Sequence, residues 1–268
     1  MTINDFFEHL WQDYVQMTPQ ADVIAQALTA KGETLKNDHV AFRTFNIGAI
    51  RLEKLEPFIL ELGYTRFEPY QFPAKKLDAV GYIPPQANLP RIFISELRVE
   101  ELTPESQAII HELVADISDS DVNDASIFWR GLLWNKPSYE QYQTLASESE
   151  YAAWLSVIGL RANHFTIDVN ALSHISEVSE MNNFIENLGF AINESGGKVK
   201  GSPAVMLEQS STMASKQSLT FANGEEHIVP TCYYEFAKRY YDENGELYQG
   251  FVAASADKIF ESTNAEAR

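Results

Sequence analysis

Two histidines and a glutamate are the residues of this chain best suited to chemistry. His39 opens His39-Val40-Ala41-Phe42-Arg43-Thr44, His164 opens His164-Phe165-Thr166-Ile167-Asp168-Val169, and Glu235 lies in Tyr233-Tyr234-Glu235-Phe236. Two neutral imidazoles and one carboxylate fill one face of an octahedral cation and leave positions for substrate and O2, the donor set of non-haem Fe(II) oxygenases. An isolated strand histidine is more often a satisfied core or surface residue than a ligand. Here the two histidines open segments that echo each other 125 residues apart (164 minus 39), which reverses those odds. Glu208, on the segment before Ser210-Ser211-Thr212, competes with Glu235 as third donor. Glu96, in Phe93-Ile94-Ser95-Glu96-Leu97, is read as the first-half counterpart of Glu235, with the task of orienting a histidine.

Side chains alternate faces along a strand, so His39, Ala41 and Arg43 share one face, as do His164, Thr166 and Asp168, and Tyr233 and Glu235. At about 3.3 Å per residue, His39 and Arg43 stand ~13 Å apart along the strand with only Ala41 between them, room for a short dicarboxylate to touch both. The formal charge of −18 sharpens the interest in Arg43, because an anionic substrate must find local positive charge in a negative field.

The elements that must position these residues also repeat. Phe58-Ile59-Leu60-Glu61-Leu62-Gly63-Tyr64 returns as Phe184-Ile185-Glu186-Asn187-Leu188-Gly189-Phe190, a helix end closed by glycine in each case. Apolar spacing predicts helices over roughly residues 2–36, then a strand over His39–Phe45, a helix over Leu52–Leu62, an aromatic-rich stretch over Tyr64–Phe72 and a strand over Arg91–Leu97. A mainly helical connector follows, broken near Pro137 and at Ser147-Glu148-Ser149. The second unit repeats strand and helix, with a hairpin at Gly196-Gly197, a strand near Val205–Gln209 and a last strand near Cys232–Phe236. The expected fold class is α+β: duplicated βαβββ modules forming a curved sheet around a central metal cavity, with extra helices. The expected division is one compact unit (1–268), with a first module at 38–100, a connector at 101–160, a second module at 161–240 and a C-terminal extension at 241–268.

Composition narrows the class. At 268 residues and 45% hydrophobic content the chain can bury a sizeable core. Nucleic acid is excluded as a partner, since phosphate binding needs clustered Lys and Arg and no basic stripe occurs. No run approaches the ~18 apolar residues of a membrane helix, and no basic stretch with an apolar run opens the chain, so a soluble, cytoplasmic protein is expected. A single cysteine, Cys232, rules out an internal disulfide and a cysteine-cluster metal site, and a small buried strand residue is its expected role.

At these residues the chain resembles the 2-oxoadipate dioxygenase/decarboxylases, or 2-hydroxyglutarate synthases, which are vicinal-oxygen-chelate-like and were formerly a domain of unknown function. The resemblance runs from about Asp38 to Thr263. It is carried by His-x-x-x-Arg-Thr at 39–44, Asn-His-Phe-Thr at 163–166, Ser-Ser-Thr-Met-Ala at 210–214 and Tyr-Tyr-Glu-Phe-Ala-Lys-Arg at 233–239. It implies Fe(II) held by His39, His164 and Glu235, and a substrate-binding role for Arg43, with His39 beside the substrate and Val252 as a late contact. It further implies oxidative decarboxylation of 2-oxoadipate with O2 to 2-hydroxyglutarate and CO2. A glyoxalase-type lyase or isomerase using another divalent metal, and a non-catalytic protein that binds an acidic metabolite, are the competing readings.

Overall fold

The computed structural model describes residues 1–264; the last four residues of the expected C-terminal extension lie outside the described residues. Among the described residues ten strands form: β1 (Asn37–Phe45), β2 (Thr65–Phe72), β3 (Leu77–Ile83), β4 (Arg91–Leu97), β5 (Ala162–Asp168), β6 (Lys200–Ser202), β7 (Leu207–Ser211), β8 (Lys216–Thr220), β9 (Glu226–Pro230) and β10 (Tyr233–Arg239). Eight of them make one curved sheet in the order β2-β3-β4-β1-β5-β10-β7-β6, and β8 and β9 pair as a separate ribbon. The order reads the same from both ends. β1 pairs parallel with β4 as β5 does with β10, and the halves meet where β1 and β5 run antiparallel.

The eight α-helices of the described residues are α1 (Ile3–Met17), α2 (Pro19–Ala30), α3 (Leu52–Glu61), α4 (Pro104–Val114), α5 (Tyr139–Glu148), α6 (Glu150–Ile158), α7 (Val178–Asn187) and α8 (Ala253–Ile259). The first module is therefore β1-α3-β2-β3-β4, and the second is β5-α7-β6-β7-β10 with the ribbon inserted before its last strand. The glycines after α3 and α7, Gly63 and Gly189, adopt φ +91° and +89°, a conformation without steric cost only for glycine. A further echo appears at Pro73-Ala74-Lys75-Lys76-Leu77 and Pro203-Ala204-Val205-Met206-Leu207. Each forms one 3-10 turn whose fourth residue, Lys76 or Met206, takes positive φ before the next strand begins.

Alternation decides which face of the sheet is dry. Phe165 and Tyr234 point away from the histidines and pack against Trp11 and Tyr14 of α1. The Tyr14 hydroxyl donates to the carbonyl of Tyr233, tying that helix to β10. On the opposite face lies α6, whose residues Tyr151–Ile158 are all buried, as expected of a helix apolar all round. Its preceding break is Ser149, which ends α5 and caps α6 by accepting from the Ala152 N–H. α8 closes the same side over β2, β6 and β7. No hairpin forms at Gly196-Gly197; these residues make a turn, and the short β6 follows. Cys232 is fully buried and its thiol is pushed up to about 12 by burial, so it is not an accessible nucleophile.

Candidate metal centre

Strand register brings the donors together. His39 stands opposite Thr166 across β1 and β5, and Thr166 stands beside Glu235 across β5 and β10, giving the row His39, Thr166, Glu235. His164 lies on the neighbouring row between Ala41 and Tyr233. Thr166 and Ala41 are small, so on a curved sheet the three larger side chains lean over them and meet. The His39 Nε2 is 3.4 Å from the His164 Nε2 and 3.5 Å from the Glu235 Oε1, and the His164 Nε2 is 3.1 Å from the Glu235 Oε2. Donors ~2.1 Å from one cation at ordinary octahedral or tetrahedral angles stand about 3.0–3.4 Å apart. The set therefore fits a divalent metal, and His39, His164 and Glu235 are the cluster of metal-ligating side chains found among the described residues.

Each ligand is fixed from behind. The Nδ1 of His39 lies 2.7 Å from the Oδ1 of Asp38, and the Nδ1 of His164 lies 3.0 Å from the Oδ1 of Asn163. With those protons donated to oxygen, both Nε2 lone pairs face the centre. Asp38 also receives a two-pronged ion pair from Arg239, at 2.6 and 2.9 Å. Burial opposes ionisation of Asp38, but Arg239 and His39 hold its carboxyl well below the usual range. Gln209 donates to the Glu235 Oε1 at 2.6 Å. Burial raises the Glu235 carboxyl, against the pull of His39 and Gln209, and burial together with His39 and Arg43 holds His164 well below its ordinary value. A divalent cation relieves both penalties, because it stabilises a carboxylate and takes the lone pair of an uncharged imidazole.

Two of the sequence expectations fall elsewhere. Glu96 does not orient a histidine; it accepts from the Leu52 N–H at 2.9 Å, capping the start of α3. The register explains the difference. His39 pairs with Arg91 and His164 with Tyr233, so two residues further along the counterpart of Glu235 is Phe93, and an odd offset puts Glu96 on the opposite face. Glu208 lies on the face opposite Gln209 and accepts from the Tyr240 hydroxyl at 2.7 Å, away from the donor cluster. Val252 caps α8, and its neighbour Phe251 stands edge-on to the His39 ring at 4.9 Å. Asp168, on the His164 face, pairs with Lys36 at 3.4 Å.

Arg43 is buried in an aromatic box, its guanidinium 4.9 Å from the Tyr151 ring, 5.0 Å from Trp154 and 5.6 Å from Phe260. It donates to Thr263 at 3.0 Å and lies 3.5 Å from Glu150. Tyr233 stacks on His164 at 4.6 Å, linking the two regions. Sequence reasoning missed Asp38, Asn163, Gln209 and Glu150. The first two were visible as polar residues immediately before each repeated histidine.

The architecture is thus a paired-βαβββ, vicinal-oxygen-chelate-like protein with a buried two-histidine, one-carboxylate centre. The family model described as 2-oxoadipate dioxygenase/decarboxylase matches residues 2–246, and the chain belongs to that family. A curated relative from Oryza sativa subsp. japonica, the chloroplastic/amyloplastic 2-oxoadipate dioxygenase/decarboxylase, is 39% identical over 94% of this chain and 76% of its own length. The crystal structure of the Oryza sativa hydroxyglutarate synthase in complex with 2-oxoadipate superposes with TM-score 0.92 at 36% identity, covering 98% of this chain and 92% of that one. A structure from Shewanella frigidimarina NCIMB 400, described as a putative hydrolase, gives TM-score 0.88 at 44% identity over 94% of this chain and 98% of its own.

Proposed function

We propose that the protein is an Fe(II)-dependent dioxygenase/decarboxylase that converts 2-oxoadipate and O2 to 2-hydroxyglutarate and CO2. The observation that carries this reading is the convergence of His39, His164 and Glu235, each nearly solvent-free, in a family whose rice member was crystallised with 2-oxoadipate. The atoms balance: one carboxyl carbon leaves as CO2, and the oxygen of O2 remains in the two products. Iron at the three donors would supply a centre able to bind a 2-oxo acid and activate O2.

The chain's own residues do the rest. Asp38 and Asn163 hold the imidazoles in one tautomer, and Gln209 holds Glu235, so the donors are preorganised. Burial of the whole face excludes bulk water from the reacting carbon. Arg43 offers a planar, permanently charged fork to the distal carboxylate, which selects a dicarboxylate over a monocarboxylic acid. The proposal is tested by anaerobic loading with Fe(II), addition of air and 2-oxoadipate, and mass spectrometry of the product, with 2-oxoglutarate as the shorter acid. Formation of 2-hydroxyglutarate only with iron supports it. Redox-neutral turnover, or hydrolysis without O2, contradicts it.

A further inference from the structure

Arg43 already has a carboxylate beside it. The Glu150 Oε2 lies 3.5 Å from its guanidinium, and the Thr263 hydroxyl bridges the two, accepting from Arg43 at 3.0 Å and donating to that same Oε2 at 2.6 Å. The arrangement is incomplete in a particular way. Arg43 Nε, Glu150 Oε1 and the Tyr233 hydroxyl are all buried and have no hydrogen-bond partner among the described residues. Buried polar groups are ordinarily satisfied, and a long ion pair with a spare oxygen and a spare N–H is weakly held.

The surroundings give Glu150 somewhere to go. Glu150, Tyr151, Trp154 and Thr263 all touch Arg43 or its partners, and all four line a cavity of about 590 Å³ that includes neither Arg43 nor a metal donor. They touch Arg43 and also line that cavity. Glu150 is the charged residue of the four, and its side chain is 20% exposed against 1% for Arg43.

We infer that Glu150 is a stand-in carboxylate: it neutralises Arg43 until a substrate carboxylate takes over the guanidinium, and it then withdraws into the adjoining cavity. This rests on the dicarboxylic substrate proposed above. Exchange of one carboxylate for another keeps the buried arginine compensated throughout, and the Arg43 Nε and Tyr233 hydroxyl become donors to the incoming group. Glu150 then acts as a specificity-determining residue. A ligand without a distal charge has nothing to put in its place, and Glu150 remains on Arg43.

The test is calorimetric titration of metal-loaded protein under nitrogen with 2-oxoadipate and with 2-oxohexanoate, which lacks the distal carboxylate. Because substrate must displace a competing charge, Glu150→Gln is expected to lower the Kd for 2-oxoadipate about tenfold while moving that for 2-oxohexanoate less than about twofold. Thr263→Val, which removes the hydroxyl that holds Glu150 in place, is expected to shift the 2-oxoadipate Kd in the same direction by a smaller factor. An unchanged or raised Kd for 2-oxoadipate in folded Glu150→Gln overturns the inference. Should that variant not fold, Thr263→Val decides by the same criterion. If wild-type protein binds neither acid, the substrate reading itself fails, and the inference with it.

Discussion

Replacing Asp38 by Asn removes one negative charge from the most heavily bonded carboxylate near the centre. Asp38 meets His39 at 2.7 Å, Arg239 at 2.6 and 2.9 Å and Arg91 at 3.3 Å, and the Asp38 and Arg239 side chains are each 1% exposed. In the variant Arg239 keeps two backbone acceptors, the carbonyls of Tyr248 at 3.1 Å and Gly250 at 2.7 Å, but its charge has no buried counter-ion at Asp38. Breaking a buried pair in this way costs about 3–5 kcal/mol. The two remaining carbonyls place Asp38→Asn near ~3 kcal/mol, a large share of the roughly 5–15 kcal/mol that holds a domain together.

The pH dependence follows from the depressed carboxyl. A group whose folded value lies below its unfolded value of about 3.9 contributes stability that is present above that pH and lost as pH falls through the folded value. The gap between wild type and Asp38→Asn is therefore full near neutrality and closes only below about pH 4. An asparagine can still accept from the His39 Nδ1, as Asn163 does for His164, so metal affinity is expected to fall by only about tenfold, at the mild end of such changes. Urea unfolding of the metal-free proteins and metal competition against a chelator measure the two effects. A stability loss under ~0.5 kcal/mol with unchanged metal affinity would refute the reasoning.

Three further changes test other parts of the account. Glu235→Gln keeps the shape but replaces the anionic donor, and metal titration is expected to show at least about a hundredfold weaker binding in a protein that still folds. Arg43→Lys retains charge but loses the fork, so KM for 2-oxoadipate should rise at least about thirtyfold while metal stoichiometry, read by elemental analysis, stays the same. Gly159→Ala is expected to destabilise by at least ~2 kcal/mol in thermal or urea unfolding. Gly159 ends α6 at φ +76°, and an added Cβ would stand 2.3 Å from the Gly131 carbonyl, with only backbone to give way.

Much of the site was legible because the module is duplicated. Repeated histidines at the head of repeated strands marked His39 and His164, and alternation placed Arg43 on the same face as His39. The helix stops at Gly63 and Gly189 were readable for the same reason. Pairing register was not readable, since it depends on which strands meet rather than on any one segment. That is why Glu96 was matched to Glu235 when the paired position is Phe93. The contacts of Asp38 were hidden by the same limit. A regular strand sends neighbouring side chains to opposite faces, but the pairing of β1 with β5 shifts between Asn37 and His39, and Asp38 reaches the Nδ1 of the next residue. Strand β3 and the β8–β9 ribbon escaped notice because their hydrophobic alternation is weak; in β8 and β9 most residues are exposed or half-exposed. Glu150 was invisible as part of the site because it comes from the helical connector, 107 residues after Arg43 in sequence.

The central claim is that His39, His164 and Glu235 hold iron for the oxidative decarboxylation of a 2-oxo dicarboxylic acid. Its most direct test is the stoichiometry of a single reaction: O2 consumed, CO2 released and 2-hydroxyglutarate formed when Fe(II)-loaded protein meets 2-oxoadipate, with Glu235→Gln run alongside. The account predicts equal moles of all three for wild type and none for the variant. Hydroxyglutarate or CO2 formed without matching O2 uptake, or full turnover by Glu235→Gln, would contradict it.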